Sequence, residues 1–441
     1  VFKIKISKLS SGRFLILGYL LVISIGTFFL LLPISTVEGE VTSFIDALFT
    51  ATSATAVTGL ITLNTMEHWT RFGQTVIMLL IQIGGFGFMT STTLLFLIFG
   101  KRVSLRERLI IMEDLNYNKI SGAISLSKYI IILTFTTEAL GALLLFLYFK
   151  KIMPSARAVY FAVFHAISAF NNAGFDLFGN SLLDFVNIPY INIVITFLFI
   201  IGGIGFIVID EVFSKGLKNL SLHSRLVLNT SLILIILGTF SFFFLEYTNP
   251  ATIGNLSLKG KLLGSYFQGV TPRTAGFNTI PIERLRDVTL FIIILFMFIG
   301  ASPGSTGGGV KTTTIVTLLI VIYNMSVGKE DIEAFGRRFR DKDIYKALTV
   351  VVISLLLITV VTIVLSSTEK FSFIQIIFEV FSAFGTVGLS TGITARLSNI
   401  GKLFIIFTMF VGRVGPVTLA VALGRREYKK IRYPAEDILI G

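Results

Sequence analysis

Cysteine is absent from the 441-residue chain, which removes a disulfide framework, a thiolate metal site and a cysteine nucleophile. Histidine is scarce: His68, His165 and His223 are scattered, a distribution that does not make a zinc site. Tryptophan occurs once. Charge is thin, at 14% of residues against about 25% in soluble domains. What fills the chain instead is apolar. Its 54% hydrophobic content, 43 phenylalanines and mean hydropathy of +0.85 mark a polytopic membrane protein. The net charge of +13 does not point to nucleic acid, because Lys and Arg sit in short connections between apolar runs.

Apolar runs cover about 14–32, 72–99, 129–149, 189–212, 226–245, 288–300, 315–323, 344–365 and 403–423. Joining 288–300 to 315–323 across a glycine-rich stretch makes eight spans, each full one near the ~20 residues a bilayer requires. The first run is followed by Pro33 rather than a small-residue cleavage site, so it reads as a retained span and not a signal peptide. Basic residues concentrate at 3–13, 101–128, 215–225, 329–346 and 425–432, which assigns those connections to the cytoplasm. An even number of spans then puts both termini there.

Between the first two runs lies a shorter apolar segment, 44–54, that leads into TSATAVTGL at 52–60. At ~1.5 Å per residue a helix of that length crosses half a bilayer. A half-helix that returns as extended chain cannot face lipid, because its backbone groups would be unsatisfied. It must be buried or line a watery cavity, and carbonyls facing a cavity make an ion site. The pattern recurs. TSATAVTGL, ISAFNNAGF, GVTPRTAGF and FSAFGTVGL carry Gly59, Gly174, Gly276 and Gly388, at intervals of 115, 102 and 112 residues. A small pair precedes each glycine (Ser53-Ala54, Ser168-Ala169, Val270-Thr271, Ser382-Ala383), and so does an aromatic (Phe49, Phe164, Tyr266, Phe378). Downstream, each following run holds a second glycine cluster, beginning at Gly84, Gly202, Gly300 and Gly412.

One glycine closing an outer loop is an ordinary turn. Two features in register four times predict an all-α polytopic membrane protein with four span–pore-loop–span repeats around one central pore, potassium-channel-like, at 1–112, 113–220, 221–335 and 336–441. The half-helices would aim their partially negative C-terminal ends at a shared centre, which favours a cation. Val57-Thr58-Gly59, Asn172-Ala173-Gly174, Thr274-Ala275-Gly276 and Thr386-Val387-Gly388 supply the carbonyls. Glycine permits the conformation this needs. The nearest upstream carboxylates, Asp46 and Glu379, lie back in the half-helices, and a carbonyl site without a carboxylate ring suits a monovalent cation better than Ca²⁺ or Mg²⁺.

The third cluster differs from the rest. Gly300, Ala301, Ser302, Pro303, Gly304, Ser305, Thr306, Gly307, Gly308, Gly309 and Lys311 place helix breakers and polar groups at mid-membrane. A kink needs only one Pro and one Gly, so the stretch reads as a mobile loop that occludes the pathway. It loosely matches G-x-x-x-x-G-K-[ST], but Val310 stands where glycine is required and a span precedes it, not a strand. Arg413 lies inside an apolar run, where a charge marks either a salt bridge between spans or a functional cation beside the pathway. Lys311 is expected to snorkel towards the cytoplasm. The other three clusters read as packing glycines that also let helices bend. Asn171 and Asn172 would brace the loop, Arg273 would sit on the outer rim, and Asp176 and Asp184 would be solvated loop charges.

The single-glycine filters, the GASPGSTGGG interruption and Arg413 together resemble the Trk/Ktr/HKT superfamily of potassium transporters, and bacterial KtrB membrane subunits in particular, over essentially the whole chain. The resemblance implies potassium uptake across a bacterial plasma membrane, often sodium-stimulated, with K⁺ as the transported ion and no cofactor in this chain. It also implies a homodimer, embedded in membrane lipid, controlled by a cytosolic nucleotide-binding ring of KtrA type. One departure stands out: potassium channels carry TVGYG, whereas each filter here has one glycine and the four differ. The alternative is an ion-coupled secondary carrier of a small solute. Such carriers commonly use inverted repeats, and here all four copies begin on the same side. A structural or receptor role fits poorly with the mid-membrane loop and Arg413.

Overall fold

In the computed structural model, the described residues are 11–87, 90–94, 123–423 and the single positions 109, 112 and 436. Four units follow one another. The first comprises α1 (Ser11–Leu30), α2 (Phe44–Thr55), the short α3 (Thr65–His68) and α4 (Arg71–Phe86). The second comprises α5 (Ala123–Phe149), α6 (Ser155–Phe170), α7 (Pro189–Ile204) and α8 (Phe206–Lys215). The third holds α9 (Leu222–Glu246), α10 (Leu258–Val270), α11 (Asp287–Phe298) and α12 (Thr312–Ser326). A two-stranded antiparallel hairpin, β1 (Glu333–Ala334) and β2 (Arg337–Arg338), leads into the fourth. That unit holds α13 (Asp341–Thr368), α14 (Phe373–Gly385), α15 (Asn399–Val414) and α16 (Pro416–Leu423). Basic positions Lys3, Lys5, Lys8, Lys101, Arg102, Arg106, Arg108 and Lys119, and those at 425–432, lie outside the described residues.

Helices α1, α5, α9 and α13 are long and apolar enough to cross a membrane. They are apolar all round, and large side chains such as Leu21, Phe28, Leu143, Phe240 and Leu356 are exposed, as lipid-facing surface requires. The half-helices α2, α6, α10 and α14 behave oppositely. Phe44 at the start of α2 is exposed, while Phe49 to Thr55 are buried. Ser43, Ser257 and Ser372 cap three of them, satisfying free N–H groups at their outer ends. Two apolar clusters enclose them: one is centred on Phe164, Phe170 and Phe199, the other on Phe49, Met297, Phe378 and Phe384.

The second span of every repeat is broken, where the sequence marks an interruption in the third and glycines that only pack or bend in the others. Helix α4 ends at Gly87 (φ 78°), α7 and α8 meet at 92° across Gly205 (φ 106°), and α15 gives way to α16 at Gly415 (φ 93°). In the third repeat the break widens into 299–311. Left-handed backbone of this kind favours glycine and interrupts an α-helix. The clusters therefore do more than pack. Their first members do pack: a methyl on Gly84, Gly202 or Gly412 would strike the carbonyl of Thr55, Phe170 or Phe384, at the end of the adjacent half-helix. Their last members break the span.

Candidate functional site: a permeation pathway

Each half-helix ends in one local fold. The first residue of each triplet is left-handed: Val57 (φ 55°), Asn172 (59°), Thr274 (67°) and Thr386 (49°). Each glycine is too, at 92°, 69°, 77° and 92°, and the residue between them is not. In a regular strand successive carbonyls point to opposite sides; alternating the hand of the backbone brings them to one side. A left-handed β-branched residue is strained by about 1–3 kcal/mol, which a surrounding structure must hold in place. The four glycines meet. A methyl on Gly174 would lie 2.7 Å from Gly276 Cα, one on Gly276 2.8 Å from the Val387 carbonyl, and one on Gly388 3.1 Å from Gly59 Cα. One on Gly59 would lie 3.2 Å from Gly174 Cα, which closes the cycle in chain order.

The same hydrogen bond anchors every triplet. The middle N–H of Thr58, Ala173, Ala275 and Val387 donates to the carbonyl of Ser53, Ser168, Thr271 and Ser382, at 2.8, 2.8, 3.0 and 2.8 Å. The hydroxyls of Ser53 and Ser382 accept from the N–H of Gly59 and Gly388, both at 3.1 Å. Those of Ser168 and Thr271 donate to the carbonyls of Phe175 (2.7 Å) and Phe277 (2.5 Å). The third copy is thus one residue shorter between hydroxyl and glycine. The expected equivalence of Val270-Thr271 with the Ser-Ala pairs is corrected: Thr271 takes the place of serine.

Below the triplets lies 300–311. Its neck is closed by Gly300 N–H donating to the Val310 carbonyl (2.8 Å) and by the Thr312 and Ser302 hydroxyls at 3.1 Å. Ser305 donates its hydroxyl to the Ser302 carbonyl (2.6 Å), and Ala301 is buried. Upwards, the Thr306 hydroxyl donates to Asn172 Oδ1 (2.9 Å) and Gly308 N–H to the Thr386 hydroxyl (3.0 Å). A side chain on Gly307 would run into Thr274. Sideways, Ser302 and Thr306 N–H donate to the carbonyls of Gly203 (3.0 Å) and Gly202 (3.1 Å). Phe206 N–H donates to the Gly304 carbonyl at 2.8 Å, and Pro303 packs its carbonyl against Gly205. Gly309 N–H donates to the Gly412 carbonyl at 3.2 Å.

These partners exist because the spans are broken. An intact helix would have paired Gly202 and Gly203 four residues on; the break at Gly205 frees them. The Gly412 carbonyl is free because residue 416 is proline and has no N–H.

Arg413 projects from α15 and donates to two carbonyls, those of Thr306 in the loop and Gly84 in the first repeat. Its partners are therefore backbone groups, not the carboxylate that a salt bridge between spans would need. Lys311 does not snorkel: its Nζ turns back to the Gly307 carbonyl at 2.6 Å. Arg273 is not on the rim. It is buried, with one nitrogen donating to the Ser231 hydroxyl on α9 at 3.0 Å. Asp176 is not solvated either; it is buried and caps the N–H groups of Phe178 (2.8 Å) and Gly179 (2.7 Å). Asp184 is exposed, as expected. Asn171 donates to Glu138 on α5 at 2.8 Å. Glu138 went unmarked in the sequence reading, although a carboxyl inside the run at 129–149 was the available signal. Asp46 pairs with Lys402 at 2.7 Å, and Glu379 with the hydroxyls of Ser390 (2.9 Å) and Thr394.

The family described as TrkH, cation transport protein, matches residues 15–427. The chain belongs to the TrkH family. Members similar to this TrkH-family chain include the Ktr system potassium uptake protein B of Bacillus subtilis (strain 168), 44% identical over 439 residues, 99% of this chain and 98% of that one. The potassium/sodium uptake protein NtpJ of Enterococcus hirae is 43% identical over 442 residues, 98% of each chain. The crystal structure of the potassium transporter TrkH from Vibrio parahaemolyticus matches at a TM-score of 0.74, covering 96% of this chain and 86% of that one. At 17% identity that likeness shows a shared TrkH fold.

Proposed function

We propose that this chain takes up potassium across the bacterial plasma membrane, through a filter made by the backbone of Val57–Gly59, Asn172–Gly174, Thr274–Gly276 and Thr386–Gly388. The observation that carries the reading is the fourfold alternation of left-handed backbone, ending in four glycines that meet in one ring. Carbonyls turned to one side replace the hydration shell of a monovalent cation. Residues 300–311, held by Arg413, form the gate below it. Support for the gate comes from its hydrogen bonds to filter side chains of the second and fourth repeats.

The name Ktr system, carried by a similar protein, supports an ion-translocating subunit that works with partners. We assign a homodimer within membrane lipid, a cytosolic nucleotide-binding ring of KtrA type that alone would bind nucleotide, cytoplasmic termini, and repeat boundaries at 1–112, 113–220, 221–335 and 336–441. Sodium stimulation belongs to the same proposal. Uptake of K⁺, Na⁺ and an organic solute, measured in proteoliposomes containing only this chain, tests the filter and the gate together. K⁺ uptake is expected, and deletion of 304–308 should increase it. Uptake that never depends on K⁺ would defeat the filter; unchanged or lower flux in a folded deletion variant would defeat the gate.

A further inference from the structure

With Thr271 aligned to Ser53, Ser168 and Ser382, the residue three positions earlier in each half-helix is Thr50, His165, Gln268 or Glu379. All four are buried. Three of them reach the chain that leaves the filter. His165 Nδ1 lies 2.7 Å from the Phe161 carbonyl, to which it can only donate. That leaves Nε2 to accept from Leu177 N–H at 3.3 Å. Gln268 Nε2 donates to the Ile280 carbonyl at 3.2 Å. Glu379 accepts from the hydroxyls of Ser390 (2.9 Å) and Thr394. Leu177 and Ile280 each stand twelve residues beyond their partner, and Ser390 eleven. In the first repeat the Thr50 hydroxyl has no hydrogen-bond partner among the described residues.

Three chemically different side chains at one half-helix position thus tie it to the chain eleven to fifteen residues on, two through backbone groups and one through hydroxyls. A buried site that needed only to be filled would take an apolar residue, and burying a polar one without a partner is costly. What the three share is a tether between the half-helix and the extended chain that follows its triplet. We propose that His165, Gln268 and Glu379 are positioning residues that hold the width of the filter ring and so set its discrimination between K⁺ and Na⁺, with the first repeat as the quarter that lacks this brace. A ring that cannot close on a smaller ion leaves that ion under-coordinated, and a ring that can close loses its preference. This inference rests on the filter reading above.

The test uses the purified full chain in proteoliposomes, with K⁺ and Na⁺ uptake measured on monodisperse protein. Gln268→Leu should lower the K⁺/Na⁺ uptake ratio by about fivefold, the scale of one lost buried hydrogen bond, and Glu379→Ala, which loses two, by at least as much. Glu379→Gln should restore it, because its amide can still meet both hydroxyls. Ser354→Ala, a buried hydroxyl bonded only within α13, should leave the ratio at the wild-type value. Should Glu379→Ala fail to fold, Ser390→Ala combined with Thr394→Val removes the same contact from the other side. Gly59→Ala, with Gly388→Ala as a second choice, separates the two readings. A glycine variant that shifts the ratio while folded brace variants keep it at wild type overturns the bracing role. A ratio untouched by the glycine variants as well overturns the filter itself.

Discussion

Arg413 and Arg273 are two cations inside the membrane with opposite surroundings. Arg413 donates to carbonyls of the loop and of the first repeat, so its charge is spent on joining them. Arg413→Gln should leave assembly intact by size-exclusion chromatography and raise K⁺ flux; loss of folding with no rise in flux would return it to a purely structural role. Arg273 has one hydroxyl partner and an unpaired Nε. A charge buried without a counter-charge carries a desolvation cost that an apolar residue of similar volume does not. Arg273→Met is expected to raise the thermal midpoint of the purified protein, by the equivalent of about 1 kcal/mol. A lowered midpoint would mean that the charge has a partner of greater weight than Ser231. Residue identity alone marked Arg413, since a charge in an apolar run is conspicuous. It misplaced Arg273, because the turn after α10 faces α9, and nothing in the local sequence states that.

At the scale of elements, the half-helices were legible because a short apolar segment ending in small residues and glycine recurs four times. The interruption at 300–311 was legible as well, but the other glycine clusters promised only packing and a bend. Hydropathy averages over a single left-handed residue, so the runs at 72–99 and 189–212 read as continuous although the backbone turns at Gly87 and Gly205. The fourth break carried a stronger signal in Pro416, which follows Gly415 directly. The one-residue shortening of the third copy was hidden for a different reason. Alignment on Gly276 sets Val270 against serine, and only the hydrogen bonds reveal that Thr271 does serine's work. Pro416 also yields a prediction. Pro416→Ala supplies an N–H that can claim the Gly412 carbonyl, in competition with Gly309. The loop should lose one anchor and K⁺ flux should rise, in the same direction as with Arg413→Gln. Flux that stays at wild type would show that the Gly309 contact does not restrain the loop.

The whole molecule is a closed ring of four repeats in one chain, so its first and last members must meet without a covalent link between them. Asp46 at the start of α2 and Lys402 in α15 join there, with side chains only 15% and 12% exposed. Removing one partner of a pair so little hydrated leaves the other charge stranded, so Lys402→Ala should cost about 3 kcal/mol in stability. The double variant Asp46→Asn with Lys402→Ala should recover most of that, a coupling that a double-mutant cycle on thermal unfolding measures. Independent, additive losses would place ring closure elsewhere. The loop at 300–311 belongs to this scale as well, because it is stitched to the second and fourth repeats and, through Arg413, to the first. A loop bonded to three repeats is still held by two of them when it lets go of one. On the gate proposed above, opening breaks all of these bonds together, so conduction would switch steeply with temperature, while the ion's own passage through an open ring would change only gently.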